Sequence, residues 1–575
     1  MADLVASCVL TPTGLVLPAP PTDAERVLYV DARNRLLCFT QLVAWIGGCA
    51  SLWLFAWHDP AVLWPFIGWV AVGVSYFGLS FTANTTFRRF DLGGHDRAVA
   101  RVRDRGDYPS IDVFLPNCGE ALAVLENTFR HVAALSYPGE LRVWCLDDAG
   151  RVEVADLATR WGFEYLSRPD KGWFKKAGNL RYAYERTDGD FIVVFDADFC
   201  PRPDFLAELV PYALADRSVG IVQSPQYFVI DAGQNWLANG AGSVQEYFYR
   251  WVMPGRNARR SPICVGTNAL YRRSALQSTG GGALVPNSED VHTGFNLMCQ
   301  GYRTLYVPLI LAKGLCPDTL AGFFNQQHRW CSGSMSLLFS HKFWHAPIGV
   351  RSRLTFLAGM AYYLYTGVAA LIAPLPAVVM VWAYPARVQW VNYLLLAPAL
   401  LQNYVLLPRW HHAPYGVDAL RVKVIYTWAH LFAFYDRLTN RALAWHPTGQ
   451  GTSRPQSRVR LAMRLIIVWP ALVGAAVVAG ASMHMSGLFD TRFWPLLALT
   501  VAFVAIHVTT LAPLHQPVRP ITAIQTTTDK QTPDAARRPP RALPTVGART
   551  RYDNLPPAPD HPSDATTQTP TLDRI

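Results

Sequence analysis

The first candidate for chemistry in this chain is a pair of aspartates, Asp196 and Asp198, which follows an apolar run at residues 191–195. A spacing of two along a strand places both carboxylates on one face. Carboxylate oxygens suit a hard divalent cation, and Mg²⁺ favours one or two of them together with phosphate oxygens. The alternative is a solvated acidic turn that caps a helix beginning near Pro201. The apolar run directly before the pair favours the metal site.

Three further polar groups follow or lie between strand-like runs. Asp147 and Asp148 end the run at residues 141–146, and because adjacent strand residues face opposite ways, we expect one to bind a ligand and the other to serve a turn. Lys176 begins Lys-Ala-Gly-Asn, where the alternative is a solvated lysine at a helix start. Glu120 ends Pro-Asn-Cys-Gly-Glu after the first run. Ligands of sheets with parallel strands bind at the carboxyl ends of the strands.

Two signatures are predicted to lie on helices. Ser-Glu-Asp at residues 288–290 opens the first helix, and Ser288 is expected to cap it. Gln-Gln-His-Arg-Trp at residues 326–330 belongs to the second, where Gln326, Arg329 and Trp330 share one face. The alternative for the second signature is an interfacial helix with a Trp at the membrane surface and an Arg that extends toward water.

In this order, and between clusters of apolar segments, the signatures resemble the membrane-embedded glycosyltransferases of family 2, the group of the cellulose, chitin and hyaluronan synthases. The resemblance implies a domain of the GT-A type, an α/β fold with a nucleotide-sugar-binding mixed sheet, fused to about six transmembrane helices. It implies that Asp290 is the general base of the transfer. It also implies Mg²⁺ or Mn²⁺ as cofactor, held by Asp196 and Asp198.

The same resemblance assigns the remaining site residues. Those that bind the donor would be Glu120, Asp147, Asp148, Lys176, Asp196 and Asp198. Those that bind the diphosphate and the acceptor would be Gln326, Arg329 and Trp330, with the guanidinium on the diphosphate and the indole stacked on the acceptor sugar.

The chain departs from cellulose synthases at two places. Their gating loop of the form F-x-V-T-x-K is represented here by Trp-His-Pro-Thr-Gly-Gln at residues 445–450, where Thr448 matches but no lysine follows. Arg454 and Arg458 have the R-x-x-x-R spacing of a cyclic-dinucleotide-binding domain. Since the companion motif is missing and a membrane helix begins within ten residues, we interpret that spacing as a coincidence.

Composition limits the function classes. Of 575 residues, 51% are hydrophobic and only 16% are charged, which is low for a soluble protein of this length. The formal net charge is +11, but no basic stripe with interleaved aromatic residues is present, so nucleic-acid binding is not expected. The ten cysteines form no C-x-x-C pair, which argues against zinc. Their positions suit reduced thiols, and a long first apolar run after acidic residues and prolines argues against a cleaved signal peptide.

Uncharged stretches predict six membrane helices, two before the polar domain and four after it, because about 20 apolar residues cross a bilayer. Pro374 and Pro376 are expected to kink or end the helix that contains them. The connections rich in Lys and Arg lie at residues 88–105, 409–464 and 519–551. By the positive-inside rule, the catalytic domain and both termini are predicted to be cytosolic in a multi-pass protein of the cell membrane.

The predicted division of the chain is therefore a cytosolic segment at 1–36, a transmembrane hairpin at 37–87, a cytosolic GT-A domain with interfacial helices at 88–345, transmembrane helices at 346–410, an interfacial helix with a gating loop at 411–463, a transmembrane hairpin at 464–514 and a disordered tail at 515–575.

The leading hypothesis is a processive inverting synthase that polymerises sugar from a UDP-sugar, with UDP-glucose and a cellulose-like β-glucan as the best match, and carries the product across the membrane. Its partners would be the UDP-sugar donor, the growing polysaccharide acceptor and membrane lipids, and the hypothesis leaves room for an accessory subunit or a homo-oligomer. The alternatives are a chitin- or hyaluronan-type synthase that uses UDP-N-acetylglucosamine, a single transfer to a lipid-linked acceptor, and a membrane scaffold without catalytic activity.

Overall fold

The computed structural model describes residues 8–10, 16–30, 35–106, 108–231, 233–439, 457–487 and 490–514. Thr448 and the tail at 515–575 lie outside these ranges, so the hypotheses about them stay predictions.

A mixed sheet forms the centre of the polar domain. Its seven strands in the described ranges have the spatial order Arg303–Tyr306, Val219–Gln223, Ala269–Arg272, Phe191–Val194, Ile111–Asn117, Leu141–Asp147 and Glu164–Leu166. Strand Ala269–Arg272 is antiparallel to both of its neighbours, and the remaining neighbours pair in parallel. The alternating strand-like and helix-like runs of the sequence alone predict a parallel sheet, so the antiparallel strand is what makes the sheet mixed.

Alternating strand residues supply a hydrophobic core on each face of the sheet. Val113 and Val193 belong to the cluster on one face, whereas Phe114, Ile192 and Val194 belong to the cluster on the other. This division follows from the period of two along a strand. All five side chains are buried, and the paired cores fix the strand ends that carry the aspartates.

Helices and two smaller sheets surround this centre. The helices of this region are Asp23–Arg26, Leu92–Arg105, Leu122–Ala133, Val152–Arg160, Lys175–Tyr184, Phe205–Ala215, Trp236–Tyr247, Phe248–Val252, Met253–Ala258, Arg273–Gln277, Glu289–Cys299, Leu320–Leu338 and His341–His345. The smaller sheets are the hairpin of Cys8–Leu10 with Val16–Pro18, and a three-stranded sheet of Cys200–Pro201, Ala312–Gly314 and Tyr227–Phe228.

Within the described ranges, six helices are long and apolar enough to cross a membrane, which confirms the predicted number. They are Arg35–Trp57, Pro60–Asn84, Val350–Ala383, Trp390–Trp410, Ser457–His484 and Thr491–Thr509. The third consists of Val350–Ile372 and Leu375–Ala383, and the break falls at Pro374. A proline cannot donate the backbone hydrogen bond of a helix interior and clashes with the preceding turn, which explains the break.

The fourth span is irregular. A 3₁₀ turn at Pro385–Arg387 precedes it, and the span itself contains a 3₁₀ segment at Trp390–Leu396, α-helical turns at Ala397–Leu401 and Leu407–Trp410, and a π turn at Gln402–Leu406. A short 3₁₀ turn, Thr491–Phe493, also begins the last span before helix Trp494–Thr509.

The aromatic-rich stretch after the fourth span forms helix Val417–Leu438. It packs against helices Trp236–Tyr247, Leu320–Leu338 and Val350–Ile372. Its buried residues include Ile425 and Trp428, which join the main core. The helix therefore connects the polar domain with the apolar helices.

Candidate active site

The predicted site residues meet in a cavity of about 560 Å³ at the carboxyl ends of strands Ile111–Asn117, Leu141–Asp147 and Phe191–Val194. This volume is typical of a site for a small ligand. The predicted residues that line the cavity are Glu120, Asp148, Lys176, Asp196, Asp198, Asp290, Gln326, Arg329 and Trp330. Asp147 does not line the cavity.

Asp196 and Asp198 lie in the loop that follows the central strand. The backbone N–H of Asp196 donates to Thr267 Oγ1 at 2.9 Å, and the Asp196 carboxylate pairs with the ammonium of Lys176. Among the described residues, Asp198 has no ion-pair partner. Burial, followed by the charges of Asp196 and Glu120, raises the pKa of Asp198 to about 8. The two carboxylates therefore lie close enough to disfavour each other's charge.

These two carboxylates fit a divalent cation. A cation would offset the repulsion that raises the pKa of Asp198, and both side chains present hard oxygen donors. The described residues hold no cluster of three or more His, Cys, Asp or Glu side chains arranged for a metal. The remaining ligands would thus come from a bound phosphate group and water, as is usual for Mg²⁺.

Glu120 is fixed where the first strand ends. Its Oε2 accepts a hydrogen bond from the backbone N–H of Cys118 at 2.6 Å. Arg151 Nη1 donates to the backbone carbonyl of Glu120 at 2.7 Å, and Arg151 Nη2 donates to Asn117 Oδ1 at 3.2 Å. Burial raises the pKa of Glu120. The loop that carries Glu120 is thus held by Arg151, which does not line the cavity, while Glu120 itself does.

Lys176 connects the acidic groups of the cavity. Its Nζ pairs with Asp196, donates to the carbonyl of Gly266 at 3.1 Å and lies 3.9 Å from Glu289 Oε1. Burial alone would lower the pKa of Lys176, but the charges of Asp196 and Glu289 outweigh it, so the pKa is raised and the side chain stays cationic. This lysine is therefore not a solvated residue at a helix start.

Asp147 and Asp148 have separate roles, as the alternation along the strand predicted. The Asp147 carboxylate accepts hydrogen bonds from the backbone N–H groups of Ala149 at 3.1 Å and Arg151 at 2.6 Å, and is fully buried. It shapes the turn and lies outside the cavity lining. Asp148 does line the cavity, but both of its oxygens accept from Arg168, at 2.5 and 2.9 Å.

Asp290 stands in the first turn of helix Glu289–Cys299 and lines the cavity. Burial, followed by the neighbouring charge of Glu289, raises its pKa to about 7. Gly266, whose φ is +75°, packs so closely that a Cβ there would lie 2.9 Å from Asp290 Oδ2. A glycine is therefore needed for the backbone to approach this carboxylate.

The predicted cap of this helix was wrong. Ser288 has φ +53° and makes no capping hydrogen bond with its side chain. Its hydroxyl is instead directed at helix Leu320–Leu338, where a Cβ on Gly333 would lie 2.1 Å from Ser288 Oγ. The close packing of the two helices has overridden the local preference of serine for a cap.

Helix Leu320–Leu338 presents Gln326, Arg329 and Trp330 to the cavity. The opposite face is buried, and there His328 Nε2 lies 3.0 Å from Asp436 Oδ2 on helix Val417–Leu438. Burial lowers the pKa of Arg329, although the charges of Glu289 and Asp196 oppose this effect. The helix thus brings a guanidinium and an indole to the cavity rim from one side.

Several lining or supporting residues were not predicted, and three of them contact predicted residues or come from a distant segment. Arg168 holds Asp148, Lys175 lines the cavity next to Lys176, and Val16 reaches the cavity from the segment before the first membrane span. Burial, followed by the charge of Arg329, lowers the pKa of Lys175 to about 8. The adjacency of Lys175 to Lys176 was the one usable signal. Nothing in the local sequence around Val16 or Arg168 indicates these contacts, which join distant parts of the chain.

Comparison with known proteins finds similarity over part of the chain. Residues 191–401 match the family model described as Glycosyl transferase family group 2. The cellulose synthase catalytic subunit (UDP-forming) of Xanthomonas axonopodis pv. citri (strain 306) is 29% identical over 274 residues, which are 47% of this chain and 37% of that protein. The cellulose synthase 1 catalytic subunit (UDP-forming) of Komagataeibacter xylinus is 30% identical over 264 residues, 45% of this chain and 35% of that protein. The match thus spans little more than a third of these relatives.

A solved structure resembles the chain more distantly. The mannosyltransferase PcManGT from Pyrobaculum calidifontis, in complex with GDP-Man and Mn²⁺, aligns with a TM-score of 0.44 and 20% identity, covering 64% of this chain and 98% of that one. The family match and the mixed sheet together confirm the predicted fold class. The chain thus combines a segment that matches family 2 glycosyltransferases with six helices, among the described residues, that are long and apolar enough to cross a membrane.

Proposed function

We propose that this chain uses its family 2 glycosyltransferase domain to transfer sugar from a UDP-sugar to the end of a growing β-glycan, with inversion at the sugar carbon, and passes the product across the membrane. The observation that carries this proposal is the composition of one cavity. It combines a carboxylate pair suited to a cation, a separate carboxylate with a raised pKa, and an Arg-Trp pair on a helix that packs against apolar helices.

Asp290 is the proposed general base. As the acceptor oxygen forms its bond to the sugar carbon, the bond from that carbon to the diphosphate oxygen breaks and UDP leaves. The acceptor proton passes to the Asp290 carboxylate. A base with a pKa near the working pH is well matched to this task, and the pKa of Asp290 is raised to about 7.

Cationic groups would stabilise the charge that develops on the diphosphate. Lys176 and Arg329 line the same cavity as the proposed base, and fixed charges in a site that excludes water are effective at the moment of transfer. A divalent cation bound by Asp196 and Asp198, Mg²⁺ or Mn²⁺, would add Lewis-acid stabilisation of the leaving group. In this proposal Glu120 and Asp148 hold the nucleoside end of the donor.

Trp330 would hold the acceptor sugar at the rim of the cavity. Its helix, Leu320–Leu338, contacts both Val350–Ile372 and Val417–Leu438, so an acceptor stacked on the indole would stand beside the apolar helices. The proposed orientation, with the domain and both termini cytosolic, follows from the basic connections of the sequence. An elongating chain would then have a short path into the membrane.

UDP-glucose is the proposed donor, supported by the names of the relatives, which are cellulose synthases that form UDP. The test is incorporation of labelled sugar by the purified protein in proteoliposomes with Mg²⁺ or Mn²⁺, followed by digestion with linkage-specific β-glucanases. A polymer cut by these enzymes is the expected result. UDP release from UDP-N-acetylglucosamine alone would replace the donor with that of a chitin- or hyaluronan-type synthase.

Two other outcomes would change the proposal. A labelled product that extracts into organic solvent and carries one sugar would indicate a single transfer to a lipid-linked acceptor. Turnover from no donor, with no difference between the wild type and the Asp290→Asn variant, would contradict an enzymatic role. In that case the membrane scaffold would become the better hypothesis.

A further inference from the structure

The segment before the first membrane span reaches the catalytic cavity. Strand Val16–Pro18 packs against helix Leu122–Ala133, and Asn127 Nδ2 of that helix donates to the carbonyl of Pro18 at 2.8 Å. Val16 is only 4% exposed and lines the cavity, as does Val124 in the first turn of the same helix. This segment precedes Ile111–Asn117, the first strand of the central sheet, by more than 80 positions. Tyr29 nevertheless joins the main core of the domain, and Val16 contributes to the wall of the cavity.

Arg202 ties this segment to the loop that carries the carboxylate pair. Its Nη1 donates to the carbonyl of Pro21 at 2.8 Å and its Nη2 pairs with Asp23 at 2.8 Å. Arg202 directly follows strand Cys200–Pro201, which begins two residues after Asp198. The segment is therefore fixed at a point close to the proposed cation site.

A buried ion pair makes the second connection. Glu25 Oε1 accepts from Lys313 Nζ at 2.6 Å, and the two side chains are 5% and 2% exposed. Glu25 is held in place by a reciprocal cap with Thr22, whose backbone N–H donates to Glu25 Oε2 at 2.8 Å and whose Oγ1 accepts from the Glu25 N–H at 3.2 Å. Lys313 lies in strand Ala312–Gly314. The five residues that follow this strand line the cavity: Leu315, Cys316, Pro317, Asp318 and Thr319.

A buried ion pair contributes little net stability, because the loss of hydration on burial offsets much of the attraction between the charges. The geometry of this pair indicates instead a role in positioning. A short, directed contact fixes the segment that carries Val16 relative to the strand that leads into residues 315–319, and both of these regions line the cavity.

We infer that residues 16–30 form a wall of the donor site, where Val16 limits the space for a nucleoside diphosphate sugar and Glu25 is a positioning residue that acts through Lys313. This inference rests on the proposed function, since it takes the cavity to be the site of a UDP-sugar. According to this inference, residues that precede the first membrane span contribute to the affinity for the donor.

The first test compares two neighbouring strand residues by their effect on UDP binding. Val16→Phe adds volume at the cavity wall, whereas Leu17→Ala removes volume from a buried neighbour that does not line the cavity. We expect Val16→Phe to weaken UDP-glucose binding about tenfold, the scale on which small steric changes in a pocket act, while kcat falls less. Leu17→Ala should lower the melting temperature and leave the Kd within about twofold. Equal Kd values for both variants and the wild type would overturn the role of Val16.

The second test separates positioning from stability. Glu25→Gln leaves a buried ammonium without its counter-charge, so both thermal stability and UDP-glucose affinity should fall. The double variant Glu25→Gln/Lys313→Met removes the charge as well, and we expect it to recover most of the melting temperature while the Kd stays raised. If the Kd of each variant instead follows its melting temperature, Glu25 has only a structural role.

Both tests use equilibrium binding, measured by isothermal titration calorimetry with the full chain in detergent, and need no turnover. If the wild type does not bind UDP-glucose, both the proposed function and the donor wall are overturned. If the wild type binds UDP-glucose and none of the variants changes the Kd, only the donor wall is overturned.

Discussion

Two strands of the central sheet, Leu141–Asp147 and Phe191–Val194, lie on either side of Ile111–Asn117 and each lead into two aspartates, and the two pairs of aspartates differ in what surrounds them. Asp147 and Asp148 accept hydrogen bonds from backbone N–H groups and from Arg168, so their charge is offset within the fold. Asp198, two residues after Asp196, has no ion-pair partner in the described ranges, and its pKa is raised to about 8. Asp147 and Asp148 thus have partners within the fold, although Asp148 also lines the cavity, whereas Asp198, like Asp290, leaves charge for a ligand or a proton to neutralise.

The largest expected effect is on Asp290, the carboxylate assigned to proton transfer. Asp290→Asn removes the base but keeps the size of the side chain, so kcat should fall by about 10²–10⁴-fold, the usual contribution of a general base. Sugar incorporation from UDP-glucose measures this loss. Asp104→Asn is the matched control, since Asp104 is exposed and remote from the cavity lining. Equal losses in both variants would contradict the assignment of the base.

A somewhat smaller effect is expected where the cation is proposed to bind. Asp198→Asn should lower kcat by about 10²-fold, because it weakens the stabilisation of charge on the leaving diphosphate. It should also remove the rise in melting temperature that Mg²⁺ or Mn²⁺ gives to the wild type, a readout that needs no turnover. If the variant keeps the full shift with metal, Asp198 is not a ligand.

Changes to the ion pair of Arg168 with Asp148 should lower the stability of the fold. Arg168→Met leaves Asp148 buried without its partner, and we expect a loss of about 3–5 kcal/mol in the free energy of unfolding, typical of a broken buried ion pair. The double variant Arg168→Met/Asp148→Asn should recover part of this loss, since no unpaired charge remains. Thermal unfolding followed by tryptophan fluorescence provides the comparison. If the Arg168→Met variant is as stable as the wild type, Arg168 does not offset the charge of Asp148, and the two pairs of aspartates do not differ in this respect.

The smallest expected effect is a change of the melting temperature with pH. The folded-state pKa values of Asp290 and Asp198, about 7 and about 8, lie above the unfolded value near 4. The native state therefore holds these protons more tightly, and their contribution to stability is present at low pH and lost as pH rises through 7 to 8. With metal removed by EDTA, the melting temperature should fall by a few degrees between pH 6 and pH 9.

Asp198→Asn should flatten this dependence, and Mg²⁺ should restore the melting temperature of the wild type at pH 8. Activity should change with pH in the opposite direction to stability, since Asp290 must lose its proton to act as a base. We therefore expect kcat to rise with pH up to about 7 and then level off. A rate that falls over this range would contradict the role of Asp290.

The central strands and the six membrane helices could be predicted because each depends on local patterns. Leu141–Asp147 and Phe191–Val194 were located to within one residue by the apolar runs at residues 141–146 and 191–195, which precede polar groups. Long uncharged stretches located the spans, and Pro374 marked the break in the third. The capping role of Ser288 could not be judged in this way, because the packing of Gly333 against it decides its backbone conformation.

The sequence alone determined which residues could do chemistry: carboxylates after strands, and an adjacent Arg and Trp one turn after a Gln on a helix. The tertiary structure decided which of them remain available, because charge is offset by partners distant in the chain. Arg168 follows Asp148 by 20 residues, and Val16, which precedes the first membrane hairpin in the chain, lines the cavity. Local periodicity contains no information about such contacts, since they depend on how whole elements pack.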